Sequence, residues 1–315
     1  MLQRLRHRIE YALVMGLRTV VGSLPVSAAE AIGTAIGLLF YAIDGHHRRL
    51  AVAQLRAAFP GRSERDCRAI ARRTFVHFGR ALVTVLRIST LAPDALLASM
   101  EVEGADHVRR ALAAGRGAMI YSGHFGYWEL HGLTHALVLG PMSVLARPLD
   151  NPYLHELLER MRTATGNRVI YRQGAMRRVL RALHGNECVA FLIDQHIHGA
   201  DAVTVRFFGR PAATTSALAA LALRTGAPII PAFAIPLDDG RCRLVYEPPI
   251  EPPAASGEDA VLELTQRCTD VLEQWVRRYP HLWLWMHRRW RELKTGDALS
   301  NERAGMRIDE RRLRS

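Results

Sequence analysis

The chain has 315 residues, 49% of them hydrophobic, and 42 Lys and Arg against 30 Asp and Glu, for a net charge of +12. A sizeable α/β core is within reach of that composition, and the charge favours anionic partners: nucleic acid, phospholipid headgroups, phosphorylated substrates or an acidic carrier protein. The four cysteines, Cys67, Cys188, Cys242 and Cys268, show neither C-x-x-C spacing nor close histidines, which excludes a zinc site and a disulfide framework and favours a reducing compartment.

The basic start, MLQRLRHRIE, is not followed by a short apolar core with a small-residue cleavage site, so no secretory signal is expected. Residues 11–43 are the most apolar stretch, interrupted by Arg18, Pro25 and Glu30. A spanning helix needs about 20 apolar residues, and neither half of this run reaches that length cleanly. Two short helices hinged at Ser23-Leu24-Pro25 fit better. Arg4, Arg6 and Arg8 flank one end, and His46, His47, Arg48 and Arg49 the other. The pattern reads as a hairpin lying in a cytoplasmic membrane face, with a pair of buried core helices as the alternative.

From 51 to 91 the apolar spacing is helical, broken at Pro60-Gly61 and restarted by Ser63-Glu64-Arg65-Asp66, with Ile70, Phe75, Phe78, Leu82, Val85 and Leu86 on the following helix. Strand-like runs follow at 118–121, 142–145, 169–171, 189–193, 203–208, 229–235 and 243–246. Helical patterns lie at 152–165, 174–184, 214–225 and 258–279. This alternation predicts an α/β domain, a sheet covered by helices. The expected organisation is a membrane-associated helical segment over 1–50, one catalytic domain over 51–295, and a polar, aperiodic, disordered tail over 296–315.

The run Ala118–Tyr121 stops at Ser122-Gly123, and His124 follows, with Glu129 five positions later. A strand-turn-helix of this kind places its turn at the top of a sheet, where α/β proteins bind ligands. Positions five apart on a helix are separated by about 140°, so the two side chains meet only if His124 precedes the first helical turn. The Ser122-Gly123 break permits that. A carboxylate on one imidazole nitrogen fixes the tautomer and leaves the other as a general base. A purely structural His–Glu pair is the bland alternative. Metal binding by His131 and His135 near Glu129 is another, without the H-E-x-x-H order or an obvious third ligand.

Further stretches follow in order: Arg-Pro-Leu-Asp-Asn-Pro at 147–152, Leu-Ile-Asp-Gln at 192–195, VRFFGRPAATT at 205–215 and YPHLWLWMHRRW at 279–290. With the H-x-x-x-x-E box, this set resembles the bacterial lipid A late acyltransferases, the lauroyl and myristoyl transferases of the larger glycerolipid acyltransferase group, from about Glu101 to Arg291. The resemblance implies a central, mostly parallel mixed sheet flanked by helices, with an apolar N-terminal membrane element. It places the base on His124, its carboxylate partner on Glu129, the basic residue after the next strand on Arg147 and the acid of the third box on Asp194. Arg206 and Arg288 are implied substrate contacts, the latter in a box with Trp283, Trp285 and His287. One departure is visible: the family box usually carries asparagine before the Trp-Glu pair, and here Tyr127 stands there, an expected contact to the acceptor.

Acyl transfer from a thioester to a hydroxyl needs a base and oxyanion donors. Arg147 or backbone N–H groups after Tyr121 are candidates for the donors, and Arg147 has the alternative role of clamping a phosphate. Phe207-Phe208 and the helix at 216–223 are candidate walls for an acyl channel, with core packing the alternative. Trp275, Trp283, Trp285 and Trp290 interleaved with arginines suit a bilayer headgroup zone. The expected function is therefore a membrane-associated O-acyltransferase on the cytoplasmic face of the inner membrane, with acyl carrier protein or acyl-CoA as donor and a lipid A precursor as acceptor. It needs no metal or other cofactor and no nucleic acid. Another acceptor lipid, a catalytically silent membrane-binding protein and a metallohydrolase are the alternatives.

Overall fold

The structure is a computed structural model that describes residues 1–171, 173–199 and 201–291. Four helices open it. α1 (Leu2–Ser23) and α2 (Val26–Ile43) are separated by Leu24 and Pro25. α3 (Gly45–Ala58) starts under an Asp44 cap, whose side chain accepts from the His47 N–H. α4 (Glu64–Ile88) starts under a Ser63 cap, which accepts from the Asp66 N–H.

α2 turns its small residues, Ala29, Gly33 and Gly37, inward and meets α4 almost backbone to backbone. A Cβ on Gly37 would lie 2.3 Å from the Phe75 carbonyl, and one on Gly79 would lie 2.2 Å from that of Gly33. The large apolar side chains face outward instead. Leu5, Ile9 and Leu13 on α1, and Leu39, Phe40 and Ile43 on α2, are all exposed. By length and composition α2 can cross a membrane, contrary to the expectation that neither half of the apolar run suffices, because Glu30 is its one charged interruption.

The sheet follows a short helix, α5 (Pro93–Ala98). Its elements are β1 (Met100–Glu103), α6 (Ala105–Ala113), β2 (Ala118–Ser122), α7 (Trp128–Leu139), β3 (Met142–Ala146), α8 (Pro152–Thr163), β4 (Arg168–Tyr171), α9 (Ala175–His184) and β5 (Cys188–Leu192). After a two-stranded ribbon, β6 (Ala202–Phe207) and β7 (Arg210–Thr215), come α10 (Ala217–Thr225), β8 (Ile229–Pro236), β9 (Cys242–Tyr246) and α11 (Gly257–Arg278). The seven-stranded order is β1-β9-β8-β2-β5-β3-β4. The run from β8 to β4 is parallel, while β9 is antiparallel to β8 and carries β1 beside it. This is the mostly parallel mixed sheet flanked by helices that the motifs imply.

β2 and β8 are buried almost end to end, as parallel strands covered on both faces must be. Met119 and Tyr121 point into a core shared with Phe191, Phe233 and α11; Ala118 and Ile120 point into the opposite core with Leu130 and Leu133 of α7. β1 and β7 lie outside the expected strands. The ribbon turns at Phe208-Gly209, both with positive φ, and so forms a tight hairpin where a helix start was expected at 214. The expected tail, 296–315, lies outside the described residues.

Candidate active site

β2 and β5 are neighbours in register, Ser122 opposite Leu192. His124 and Asp194 each stand two residues past that final pair. Parallel strands leaving a sheet at the same level bring equal offsets side by side, and the two side chains meet there. His124 Nδ1 lies 2.8 Å from Asp194 Oδ1, while the His124 N–H donates to Asp194 Oδ2 at 2.7 Å. Trp283 Nε1–H donates to the same oxygen at 2.8 Å.

Asp194 is 3% exposed, and burial works against its charge. The His124 charge, the two His124 hydrogen bonds and the Trp283 hydrogen bond outweigh that and hold its pKa at about 2. An ionised carboxylate only accepts, so the proton of a neutral His124 sits on Nδ1 and Nε2 carries the free lone pair. Burial also opposes a charged His124. The Asp194 charge and hydrogen bond, helped by Glu129 and opposed by Arg162, still raise its pKa above the ordinary histidine value. With 18% of its side chain exposed, His124 is reachable.

The surrounding backbone locks the turn. Leu284 N–H donates to the His124 carbonyl at 3.1 Å, Gly126 N–H to the Leu282 carbonyl at 2.9 Å, and Phe125 bridges Trp283. The segment after the 3₁₀ turn Pro280–Leu282 therefore runs as a short strap against the turn, and it delivers Trp283 to Asp194. Gly126 has φ +57, and a Cβ there would lie 1.9 Å from the Ala234 carbonyl, so only glycine fits.

Glu129 does not hold His124. It forms a two-pronged ion pair with Arg162 of α8, Nε to Oε2 at 2.9 Å and Nη2 to Oε1 at 2.5 Å, each side chain 19% exposed. The expected carboxylate–imidazole contact goes to Asp194, because Glu129 lies in the first turn of α7 and that turn swings it toward α8. Glu129 still acts on His124 through space.

The other expected residues scatter. Tyr127 is buried, stacked on His77 at 5.4 Å between ring centres, with its hydroxyl bonded to Thr84; it is a core residue behind the turn, not a surface for an acceptor. Arg147 follows β3 at the same end of the sheet but is 87% exposed, paired loosely with Asp150 at 3.5 Å. Arg206 is exposed on β6, where its backbone N–H and carbonyl are both held by Gln266. Arg288 is exposed, and its neighbour Arg289 points inward. The N–H groups of residues 124–127 all go to protein acceptors, which removes them as oxyanion donors.

Phe207, Phe208, Trp283 and Trp285 form one buried aromatic cluster, and Leu218 and Leu221 join the same core. Neither a channel wall nor a headgroup belt is built from them. His131 and His135 are also buried, the latter bonded through Nδ1 to the Tyr246 hydroxyl at 2.8 Å. Among the described residues no three His, Cys, Asp or Glu side chains converge as a metal site.

Three contributors carried no separate signal in the sequence. Arg162 is one arginine among many on a polar helix. Gln195, whose Nε2 lies 3.3 Å from His124 Nε2, is a common polar residue marked in the sequence only by its place beside Asp194. Arg289 stands beside Arg288, and nothing in the order of residues marks it as the buried one.

Two spaces adjoin the centre. An apolar cleft opens beside Trp128 and Glu129 and runs along Leu133, Met142 and Val144. A groove of about 420 Å³ lies between α2, α4 and the strap, walled by Ile36, Phe40, Phe78, Leu82, Leu284 and Met286 and reaching His287. Phe78 packs on Trp128, which packs edge-on against His124 at 5.3 Å.

Residues 2–292 match the family described as bacterial lipid A biosynthesis acyltransferase. The chain belongs to that family. Within it, the chain is 26% identical over 288 residues to the lipid A biosynthesis lauroyltransferase of Escherichia coli, covering 90% of this chain and 92% of that protein. It is equally 26% identical to the palmitoleoyltransferase of the same organism, over 87% and 89% of the two chains. The phosphatidylinositol mannoside acyltransferase of Mycobacterium tuberculosis is 28% identical over 218 residues, 68% of this chain and 67% of that one. A solved structure, the 1-acyl-sn-glycerophosphate acyltransferase of Thermotoga maritima, covers 78% of this chain and 96% of its own at 15% identity and a TM-score of 0.36. This lipid A acyltransferase family member is thus an acyltransferase of the lipid A or glycolipid type.

Proposed function

We propose that the protein moves a fatty acyl chain from an acyl carrier protein or coenzyme A thioester to a hydroxyl of a lipid A precursor, at the cytoplasmic face of the inner membrane. The observation that carries this is the His124–Asp194 pair, with Nδ1 fixed by the buried carboxylate and Nε2 turned to the Gln195 side chain at the site mouth.

In this mechanism the acceptor hydroxyl displaces Gln195 from His124 Nε2 and gives up its proton there. Its oxygen attacks the thioester carbonyl, and the tetrahedral intermediate collapses by breaking the C–S bond. The thiolate leaves with the proton from the imidazolium, so an ester and a thiol replace an alcohol and a thioester. Asp194 stabilises the transient cation, an arrangement of base and orienting acid typically worth several orders of magnitude in rate. The Gln195 amide, freed from His124, is the nearest donor for the oxyanion. Arg162, fixed by Glu129, forms the cationic wall of the cleft.

The exposed apolar stripe of α1 and the outer face of α2 support attachment to lipid, and the groove between α2 and α4, whose wall includes the exposed Phe40 and Leu82, is the space this reading gives to an alkyl chain. Its volume falls in the range of ligand pockets, roughly 300–1,000 Å³. The +12 charge suits an acidic carrier protein and an anionic leaflet.

The test is His124→Ala, purified from membranes and supplied with acyl carrier protein thioester and lipid A precursor. Loss of ester product with the fold retained supports the reading; turnover near wild type rejects it. A second reading, a glycolipid acceptor other than lipid A, is favoured by the likeness to a phosphatidylinositol mannoside acyltransferase. Mass spectrometry of lipids from a strain lacking the gene separates them, since unchanged lipid A removes the first acceptor.

A further inference from the structure

Beyond Asp194 the chain runs Gln195-His196-Ile197-His198, and this loop meets the strap at His287–Arg291. His196 N–H donates to His287 Nε2 at 3.3 Å, the His196 and His198 rings stand 4.4 Å apart, and Arg291 Nη1 lies 3.4 Å from His198 Nε2. Beneath them Arg289, 1% exposed, donates to the Gln195 and Ala213 carbonyls and to the Thr214 hydroxyl.

Among the described residues, the groups that act on this corner are mostly positive. The groups acting on His196 are all cationic or able to become so: His198, Arg291, Arg289 and His287. The acid acting on Arg289 is Asp194, which already holds His124 and Trp283. Among the described residues, both ring nitrogens of His196 are buried without a hydrogen-bond partner, as is Arg289 Nε. A buried guanidinium without its own counter-ion is costly, and unfilled polar atoms beside it add to the cost. An anion seated in the corner removes both penalties together.

We propose that this corner, formed by His196, His198, Arg291 and the buried Arg289, binds a phosphate group of the acceptor lipid. The anionic chemistry stands on the cluster itself; naming the acceptor as its source rests on the acyltransferase reading above. Phosphate suits several converging N–H donors on two elements. The acceptor is the better source, because the corner touches Gln195 and lies next to His124. A thioester carbonyl at His124 leaves the phosphate of its pantetheine arm many bonds away.

Two measurements on the full chain in detergent test this. First, the imidazole resonances of His196 and His198 are followed by NMR during titration with inorganic phosphate, against sodium chloride of matched ionic strength. Saturable shifts specific to phosphate, lost in Arg291→Ala, are expected; shifts no larger than those in chloride overturn the proposal whether or not the protein turns over. Second, kinetics compare a phosphorylated lipid A precursor with its phosphatase-treated counterpart. Arg291→Ala and His198→Ala each raise the acceptor KM on the order of tenfold for the phosphorylated lipid only, the worth of about one charge-assisted hydrogen bond. An equal effect on both lipids, or a rise in the donor KM instead, contradicts the assignment to the acceptor. Phosphate-specific shifts in a protein that transfers no acyl group would uphold the anion site and sink the acyltransferase reading alone.

Discussion

His124 and Asp194 lie seventy residues apart in the chain and 2.8 Å apart in space, because each stands two residues beyond a matched pair on adjacent parallel strands. That register is set by the buried apolar faces of β2 and β5, so the chemistry is positioned by the core. A one-residue slip of either strand would flip its buried face to the wrong side and part the two groups.

The first consequence concerns pH. A base at His124 Nε2 must be neutral, and its pKa is raised above about 6.5. Turnover therefore falls as pH drops through that raised value, while Asp194, held at about 2, stays ionised throughout. Glu129→Gln removes a charge that favours the imidazolium and leaves Arg162 uncompensated. Both effects lower the His124 pKa, so the acid limb of kcat/KM moves to lower pH. A pH–rate series on both proteins checks the direction.

Arg162→Ala leaves Glu129 without its ion pair at a site 19% exposed. The expected loss of stability is roughly 2–3 kcal/mol, below the full cost of breaking a buried pair because some water reaches it. Denaturant melts measure it. The paired substitution Glu129→Gln/Arg162→Met recovers most of the loss.

Gly126→Ala puts a methyl group against the Ala234 carbonyl at a residue with φ +57. The Tyr127 N–H bond to that carbonyl, 2.8 Å, is the first to give way. A stability loss of at least ~2 kcal/mol is expected, together with a fall in kcat, since the same turn carries His124.

Leu5→Asp and Leu13→Asp alter exposed positions on α1 and leave the melting temperature in place. Each weakens binding to phospholipid vesicles by roughly tenfold or more, as the loss of one inserted leucine predicts. Flotation assays with anionic vesicles read the effect directly.

Much of this organisation is legible in the amino-acid order. The strands at 118–121, 189–193 and 229–235 are apolar runs that only a doubly covered sheet accommodates, and Asp194 announces itself as a lone carboxylate ending one of them. What is hidden has physical causes. Glu129 is near His124 in sequence, and local spacing says nothing of an arginine thirty-three residues further on that competes for it. Met100–Glu103 is a short charged edge strand, and Arg210–Thr215, with its proline and small side chains, pairs because the hairpin folds it back onto β6, whose own backbone Gln266 of α11 holds at Arg206. Tyr127 and Arg289 carry polar tips that give no sign of burial until their partners, Thr84 and Thr214, are known. The outward apolar face of α2 is invisible to composition alone, because only the glycine contacts with α4 fix which side is inward.

The orienting role of Asp194 is tested most directly by single-turnover acyl transfer in Asp194→Asn beside Glu129→Gln. An amide in place of the carboxylate no longer holds the proton on Nδ1 or stabilises the imidazolium, so the rate falls on the order of 10³–10⁴-fold in Asp194→Asn and far less in Glu129→Gln. A rate within about threefold of wild type in Asp194→Asn, with the larger loss in Glu129→Gln, would return the orienting role to Glu129 and contradict the account.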